Sequence, residues 1–493
     1  MSEQQSSYRQ IFKATSIFGG VQVFNILVSI VRSKVAALFL GTEGFGIVGL
    51  FNSTLDMVRN ITSLGINQSA VRDISEAAGC EDEGHVRSTV TMVRFWYWIT
   101  GFLGMFVVLV LSPYLSEWTF GNRDYTWSFV FLSVIPLLTS ISAGQLAILQ
   151  GLRQLKRLAL SNLYGGAIGL VFLIPFYYYW GIRGIVPYLI VASLISLLLS
   201  WYYVRRLRIA SVVQSWRTNL RSGTHMMKLG IMLTLAGTLG TGVGYLIRIF
   251  ISRTGGLDDV GLFTAGFSLI DTYIGLVFTA MGTDFYPRLS AVNRDNAAVS
   301  QLVNHQAEVG VLILSPMLVA FMLFAPVVLT ILYSSKFVPI TGMIQWAILG
   351  VLLKASSWPM AFVLLAKAET KLYFIQEVFF NFYNLLFIIL GYYWFGLVGL
   401  GIGSCVVQLA ILIQICTVVG YKYGISFVRD YFRVLLPCYV LCVFMFGVVR
   451  FCPTFWGYVA GIPLIVLSCW FTYRELDKRI GIKAIIKSKL RRE

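Results

Sequence analysis

Charge is what this chain has least of. Only 12% of its 493 residues are Asp, Glu, Lys or Arg, roughly half the share in a typical soluble domain. That is too little to cover a water-soluble body of this length. With 57% hydrophobic residues and a mean hydropathy of +0.76, most of the surface must face lipid. Metal ligands are equally sparse. His85, His225 and His305 stand far apart, and the seven cysteines form no C-x-x-C pair, so neither a metal site nor a disulfide framework is expected. No glycine is followed by lysine, which excludes the phosphate-binding loop of an ATP-driven pump. The polar stretch Met1–Ser16 lacks the short apolar core and cleavage site of a removable signal peptide. No cofactor is expected.

What the chain has in abundance is long apolar runs. A bilayer crossing takes about 20 mainly apolar residues, and hydrocarbon admits only helices or closed barrels. These runs are too long for barrel strands and do not alternate, so the fold class is all-α integral membrane protein with about 14 transmembrane helices. Three expected pairs are barely separated: 17–40 and 45–75, 159–180 and 184–204, 372–395 and 397–420. The net charge of +17 invites a nucleic-acid reading, but the bases lie in short clusters between apolar runs, so no nucleic-acid partner is expected. With a cytoplasmic N-terminus, 28 of the 39 bases fall on the cytoplasmic side and 5 on the other. That asymmetry places both termini in the cytoplasm. The tail carries Ile482, Ile485, Ile486 and Leu490 among its bases, a pattern suited to lying on an anionic inner leaflet or to a plain solvated tail.

An internal repeat runs at a constant offset of 215 residues. Gly41 matches Gly256, Gly46 matches Gly261, Ser53 matches Ser268 and Asp56 matches Asp271. Further on, Lys156 matches Lys371, Gly181 matches Gly396 and Gly184 matches Gly399. The repeat superposes helices 1–6 on helices 7–12. Six crossings per unit is an even number, so the units are parallel repeats, an architecture that places a transport site between two halves. The expected organisation is an N-lobe at 1–208, a cytoplasmic linker at 209–228, a C-lobe at 229–420, helices 13 and 14 at 421–473 and a basic cytoplasmic tail at 474–493.

The segment Leu40-Gly-Thr-Glu-Gly-Phe-Gly-Ile47, the turn Gln150-Gly-Leu-Arg-Gln-Leu-Lys156 and its counterpart Ala366-Lys-Ala-Glu-Thr-Lys371, on a twelve-plus-two helix plan, resemble the Wzx-type polysaccharide flippases. These belong to the multidrug/oligosaccharidyl-lipid/polysaccharide exporter superfamily. The resemblance implies two six-helix lobes forming a V-shaped central cleft. It also implies passage of an undecaprenyl-diphosphate-linked oligosaccharide across the bacterial inner membrane. A glycan polymerase is a candidate partner.

Ionisable residues inside a span are costly and mark function by default. Arg32 and Arg248 are repeat-equivalent within one residue, in the outer halves of helices 1 and 7; if those helices line the cleft, as the resemblance implies, two guanidinium groups face each other. Arg59 and Lys354 add positive charge near mid-depth, and Arg253 lies at the outer mouth. Guanidinium groups match phosphate oxygens bidentately, so these five are the candidate substrate ligands. Asp56, Asp271 and Asp284 are candidates for ion coupling or gating. Asp56 and Arg59, at i and i+3, also suit a local ion pair; Asp271 has no such neighbour and is a candidate partner for Arg248. Lys34 lies about 200° round the helix from Arg32, so both cannot face one cleft. Arg94 is expected to reach headgroups, and Glu377 lies close to the inner surface.

Two alternatives stay within the superfamily: a flippase for the lipid-linked peptidoglycan precursor, and a multidrug or metabolite exporter. Cationic drugs favour an acidic cleft, whereas bases outnumber acids here. A membrane enzyme needs acids or bases placed on a sizeable outer loop, and the outer loops are small. The protein is therefore expected not to be an enzyme.

Overall fold

The structure is a computed structural model that describes residues 3–79, 82–209, 212 and 216–480. The described residues are helical, without a strand. The chain divides into two compact units, the first running to Gly261 and taking in Leu332–Ser334, the second comprising the rest. The first unit holds α1 (Glu3–Thr62), α2 (Ile66–Gly79), α3 (Glu83–Phe120), α4 (Thr126–Leu132), α5 (Val134–Gly151), α6 (Leu155–Trp180), α7 (Ile185–Arg205) and α8 (Trp216–Gly255). The first turn of α9 (Leu257–Ala291) still belongs to the first unit; from Leu262 on, α9 and α10 (Asn296–Leu332), α11 (Thr341–Ala366), α12 (Thr370–Tyr423), α13 (Arg429–Phe451) and α14 (Thr454–Ile480) build the second.

Ten stretches of the described chain are long and apolar enough to cross a membrane. Their outward side chains include Phe106, Trp118, Val171 and Ile413, all largely exposed, as a lipid-facing surface requires. This is a multi-pass membrane protein. Three stretches are interrupted part-way along: Phe24–Thr62, Leu155–Arg205 and Thr370–Tyr423. Each contains a glycine in a conformation closed to other residues: Gly41 (φ 65°, ψ −163°), Gly181 (φ 53°, ψ −129°) and Gly396 (φ 57°, ψ −141°). Positive φ with ψ in this range is open only to a residue without a Cβ. At each of these points the chain stops one helix and starts another.

The 215-residue repeat is written in this backbone. Gly181 and Gly396 are equivalent, and so are Gly41 and Gly256, which also has positive φ. Three residues beyond each of the first pair, a Cβ on Gly184 would collide with the Phe176 carbonyl, and one on Gly399 with the equivalent Gly391 carbonyl. The two sequence turns match as well. Arg153 and Ala368 both take positive φ; Gln154 N donates to Leu149 O (2.8 Å), as Glu369 N does to Leu364 O (2.9 Å). Lys422 and Tyr423 both donate to the Glu369 carboxylate (2.5 and 3.0 Å), and these bonds hold it below its ordinary value, the lysine contributing most. The anchor is therefore complete above the usual carboxylate range and is lost as pH falls through the lowered value.

Within the first unit, repeat-equivalent residues also meet. Gly46 has no side chain where the Leu257 carbonyl approaches, and Gly261 has none where the Thr42 carbonyl approaches. Thr42 and Leu257 are themselves equivalent, so the contact is made twice with the roles exchanged. Thr42 Oγ1 adds a hydrogen bond to Asp258 in the first turn of α9.

Two departures from the sequence expectation have local causes. The helix expected over 45–75 stops at Thr62, because Leu64 and Gly65 both take positive φ. The chain then restarts as α2, an amphipathic helix that buries Ile66, Ala70, Ile74 and Ala77 and exposes Arg72, Ser75 and Glu76. Secondly, α14 runs on to Ile480, so the start of the expected tail is helical. Residues 481–493, including Ile482, Ile485, Ile486 and Leu490, lie outside the described residues, as do 210–211 and 213–215 of the linker.

The extension of α14 is fastened along α10. Thr472 Oγ1 donates to Leu312 O (3.0 Å). One turn or two further on, Arg479 meets Glu308 (2.8 Å) and Glu475 (2.5 Å). The Glu308 side chain is only 7% exposed, and Arg479 is the cation that meets it there.

Arg479→Leu is expected to cost about 3–5 kcal/mol by stranding the enclosed Glu308 carboxylate, read as a lower melting temperature of the detergent-purified protein. Glu308→Leu combined with Arg479→Leu should recover most of that loss. Gly261→Leu should reduce the yield of folded protein. Gly275→Leu should not, since a Cβ at that position meets nothing within 4 Å; equal yields would remove the Gly46–Gly261 crossing from the folding requirement.

Candidate functional site

In the first unit, the part of α1 after Gly41 packs against α3 and α8, and polar residues line the seam. Thr54 and Thr119 lie 3.5 Å apart, and Thr119 shares a 2.6 Å hydrogen bond with the Tyr245 hydroxyl. Nearer the far end of the crossing, Asn60 Nδ2 donates to Thr241 Oγ1 (2.8 Å). These side chains satisfy one another because hydrocarbon offers them no other partner.

Beside this seam three charged residues gather. Asp56 and Arg59 form an ion pair at 3.1 Å. Arg248 on α8 acts on the same carboxylate through space, while its Nη1 donates to Gly244 O (3.0 Å). Asp56 lies about 22 Å along the helix axis from Gly41, well within the crossing. Yet the side chains of Arg59 and Asp56 are 46% and 51% exposed. A charge pair half-open at that depth faces water or a polar ligand, since exposure to acyl chains is costly. Two guanidinium groups act on this one carboxylate, a basic grouping whose planar forks can match phosphate oxygens.

The other sequence candidates have different surroundings. Arg253 caps α3: its Nη2 donates to the carbonyls of Glu117 and Trp118, where a cation meets the negative end of the helix. Arg32 is exposed on α1 and acts electrostatically on Tyr177 and Tyr188, whose rings pack edge to face at 5.2 Å. Lys34 is partly buried on the same helix. Arg32 and Arg248 both belong to the first unit.

In the second unit, the Lys354 ammonium lies 5.4 Å from the centre of the Phe278 ring. Phe278, Trp358, Phe362 and Tyr286 wall a recess of about 430 Å³ that also presents Thr279 and Thr283. Aromatic faces with hydroxyls and an ammonium beside them can stack on sugar rings or isoprene units. Asp284 pairs with Arg288 at 3.0 Å, and Asp271 is exposed on α9. Among the described residues no three His, Cys, Asp or Glu side chains converge on a common point.

Sequence reasoning passed over two features. The Glu308–Arg479 pair joins residues 171 positions apart; the available signal was an acid inside the apolar run of α10. Tyr245 looks like any other aromatic residue in a span, and nothing in the sequence distinguishes it.

A model of the polysaccharide biosynthesis protein family matches residues 11–293. The lipid III flippase of Escherichia coli K12 is 20% identical over 352 residues, covering 70% of this chain and 82% of the relative. A Shigella flexneri protein described as a candidate O-antigen transporter is 26% identical over 306 residues, covering 60% and 71%. Among solved structures, the lipid II flippase MurJ in an inward closed conformation superposes with a TM-score of 0.70 at 12% identity, over 95% of this chain and 99% of that one. An inward-facing multidrug resistance MATE family transporter of the MOP superfamily gives 0.67 at 18%, over 82% and 94%. The chain has the helical fold of the MOP-superfamily transporters and belongs to the polysaccharide biosynthesis protein family.

Proposed function

We propose that this protein is a flippase for an undecaprenyl-diphosphate-linked oligosaccharide, moving it across the bacterial inner membrane by alternating access. The observation that carries the reading is the half-open Asp56–Arg59 ion pair inside a membrane crossing, with the Arg248 guanidinium acting on the same carboxylate. A diphosphate taken into hydrocarbon unaccompanied faces a cost of tens of kcal/mol. Guanidinium groups in a wet passage remove most of that cost, while the lipid tail stays in the bilayer. Relatives named for lipid III and O-antigen transport support this class of cargo.

In this reading each glycine-broken stretch makes two crossings, and with α8 counted the plan has fourteen: two six-crossing lobes of parallel sense plus α13 and α14. Both termini are cytoplasmic, following the distribution of bases. Arg59 and Arg248 hold the diphosphate, and Asp56 orients Arg59. Arg32 and Lys354 attract the anion elsewhere along the path, the latter beside an aromatic recess suited to the glycan. Arg253 positions α3 at the outer mouth. Asp271 and Asp284 serve ion coupling or gating. The excess of bases over acids disfavours a cationic-drug exporter.

The test is export in a strain whose sole flippase is this protein, with surface glycan and cytoplasm-facing lipid-linked oligosaccharide both measured. Arg59→Ala and Arg248→Ala should each cut export at least about tenfold, the scale of a lost hydrogen bond to a charged group, with the precursor accumulating inside. Lysine at either position should restore part of the activity, because it keeps the charge but not the planar fork. Arg32→Ala should behave in the same direction. Wild-type export by the Arg59→Ala/Arg248→Ala double variant at normal protein level would remove the cluster from the mechanism.

A further inference from the structure

The first unit carries a second cationic recess, at the opposite edge of the helices from the Gly41 turn and outside the cluster described above. It occupies about 680 Å³ over α5, between α3 and α7, and is lined by Arg94, Arg205 and Arg208 together with Trp98, Trp201 and Gln145. The Arg205 guanidinium lies 5.0 Å from the centre of the Trp201 ring. Gln145 on the floor is nine-tenths buried, and its Oε1 has no hydrogen-bond partner among the described residues.

The walls leading away from this recess are apolar and open. On α3 Trp98 packs on Phe102 at 5.5 Å, and Phe102 and Phe106 are exposed. They follow Trp98 at four-residue steps, one above another on the helix face. On α7 Leu198 and Leu194 continue from Trp201 and are likewise exposed. The shape is that of a lipid: three guanidinium groups and an amide at one end, two indoles at the headgroup level where such rings collect, and greasy rows beyond. Basic pockets between transmembrane helices bind anionic lipid headgroups on the cytoplasmic side.

We infer that this recess is a binding site for an anionic phospholipid of the surrounding bilayer, the phosphate held by Arg94, Arg205 and Arg208 over Gln145 and the acyl chains laid along α3 and α7. The bound lipid bridges α3, α5 and α7 at their ends. The site is separate from the proposed passage, and binding does not require transport.

The experiment is native mass spectrometry of the detergent-purified protein titrated with dioleoyl-phosphatidylglycerol or dioleoyl-phosphatidylcholine. Wild type should retain phosphatidylglycerol about tenfold more tightly than phosphatidylcholine, the scale of charge-assisted bonds to phosphate. Arg205→Ala/Arg208→Ala should abolish that preference. Both residues are exposed, so the fold should survive, as an unchanged melting temperature in phosphatidylcholine would verify; Arg94→Gln, which keeps a polar group, should weaken the preference on its own. Lys156→Ala/Arg157→Ala, which removes two bases outside the recess, should leave it intact. Equal loss in this control and in the recess variants would overturn the site. Farnesyl diphosphate displacing phosphatidylglycerol from the recess, without the reverse exchange, would overturn the phospholipid assignment in favour of an isoprenyl phosphate. None of these variants touches Asp56, Arg59 or Arg248, so the flippase reading and this site fail separately.

Discussion

A backbone carbonyl surrounded by acyl chains has nothing to bond to except its own helix, and the rest of this structure follows from that constraint. It forces the chain into long unbroken helices and confines every reversal to places where the hydrogen-bond ladder can end cheaply. Gly41, Gly181 and Gly396 provide three of those places. It also forces polar side chains to find each other, which is why Thr54, Thr119 and Tyr245 form a chain across three helices. Charges left half-open at such depth, as at Asp56 and Arg59, are costly against acyl chains, and the proposed passage starts from that observation.

The parts of the fold that were legible in the sequence are those where only one residue type will do. Positive φ with ψ near −150° demands glycine, so the repeat stood out as matched glycines, and the structure repeats the same dihedral break at the same 215-residue spacing. The break after Thr62 was invisible for the converse reason. Leu64 takes positive φ without announcing it, and an apolar pattern runs on through the turn. The i, i+3 spacing of Asp56 and Arg59 was readable because the geometry is local. That Arg248 joins them was not, since it depends on how α8 packs against α1.

Arginine's double use in this molecule explains why charge alone is a poor guide to a transport site. Arg253 and Arg248 lie five residues apart on one helix and would score alike in any search for intramembrane bases. One closes the end of α3 through two carbonyls; the other faces a carboxylate in the half-open cluster. Arg479 is a third case, a cation whose partner Glu308 is almost wholly enclosed. The geometry of the partner separates the cases: backbone oxygens or a sealed carboxylate leave a guanidinium little room for a further partner, whereas the half-open Asp56–Arg59 pair leaves room for one.

The crossing at Gly46 and Gly261 has a consequence for how such a duplicated chain can drift. Each glycine rests against the backbone beside its own counterpart, so a mutation enlarging either copy meets main chain, which no compensating side-chain change nearby can move aside. The two copies are thus tied to the same fate, although nothing in the genetic code couples them.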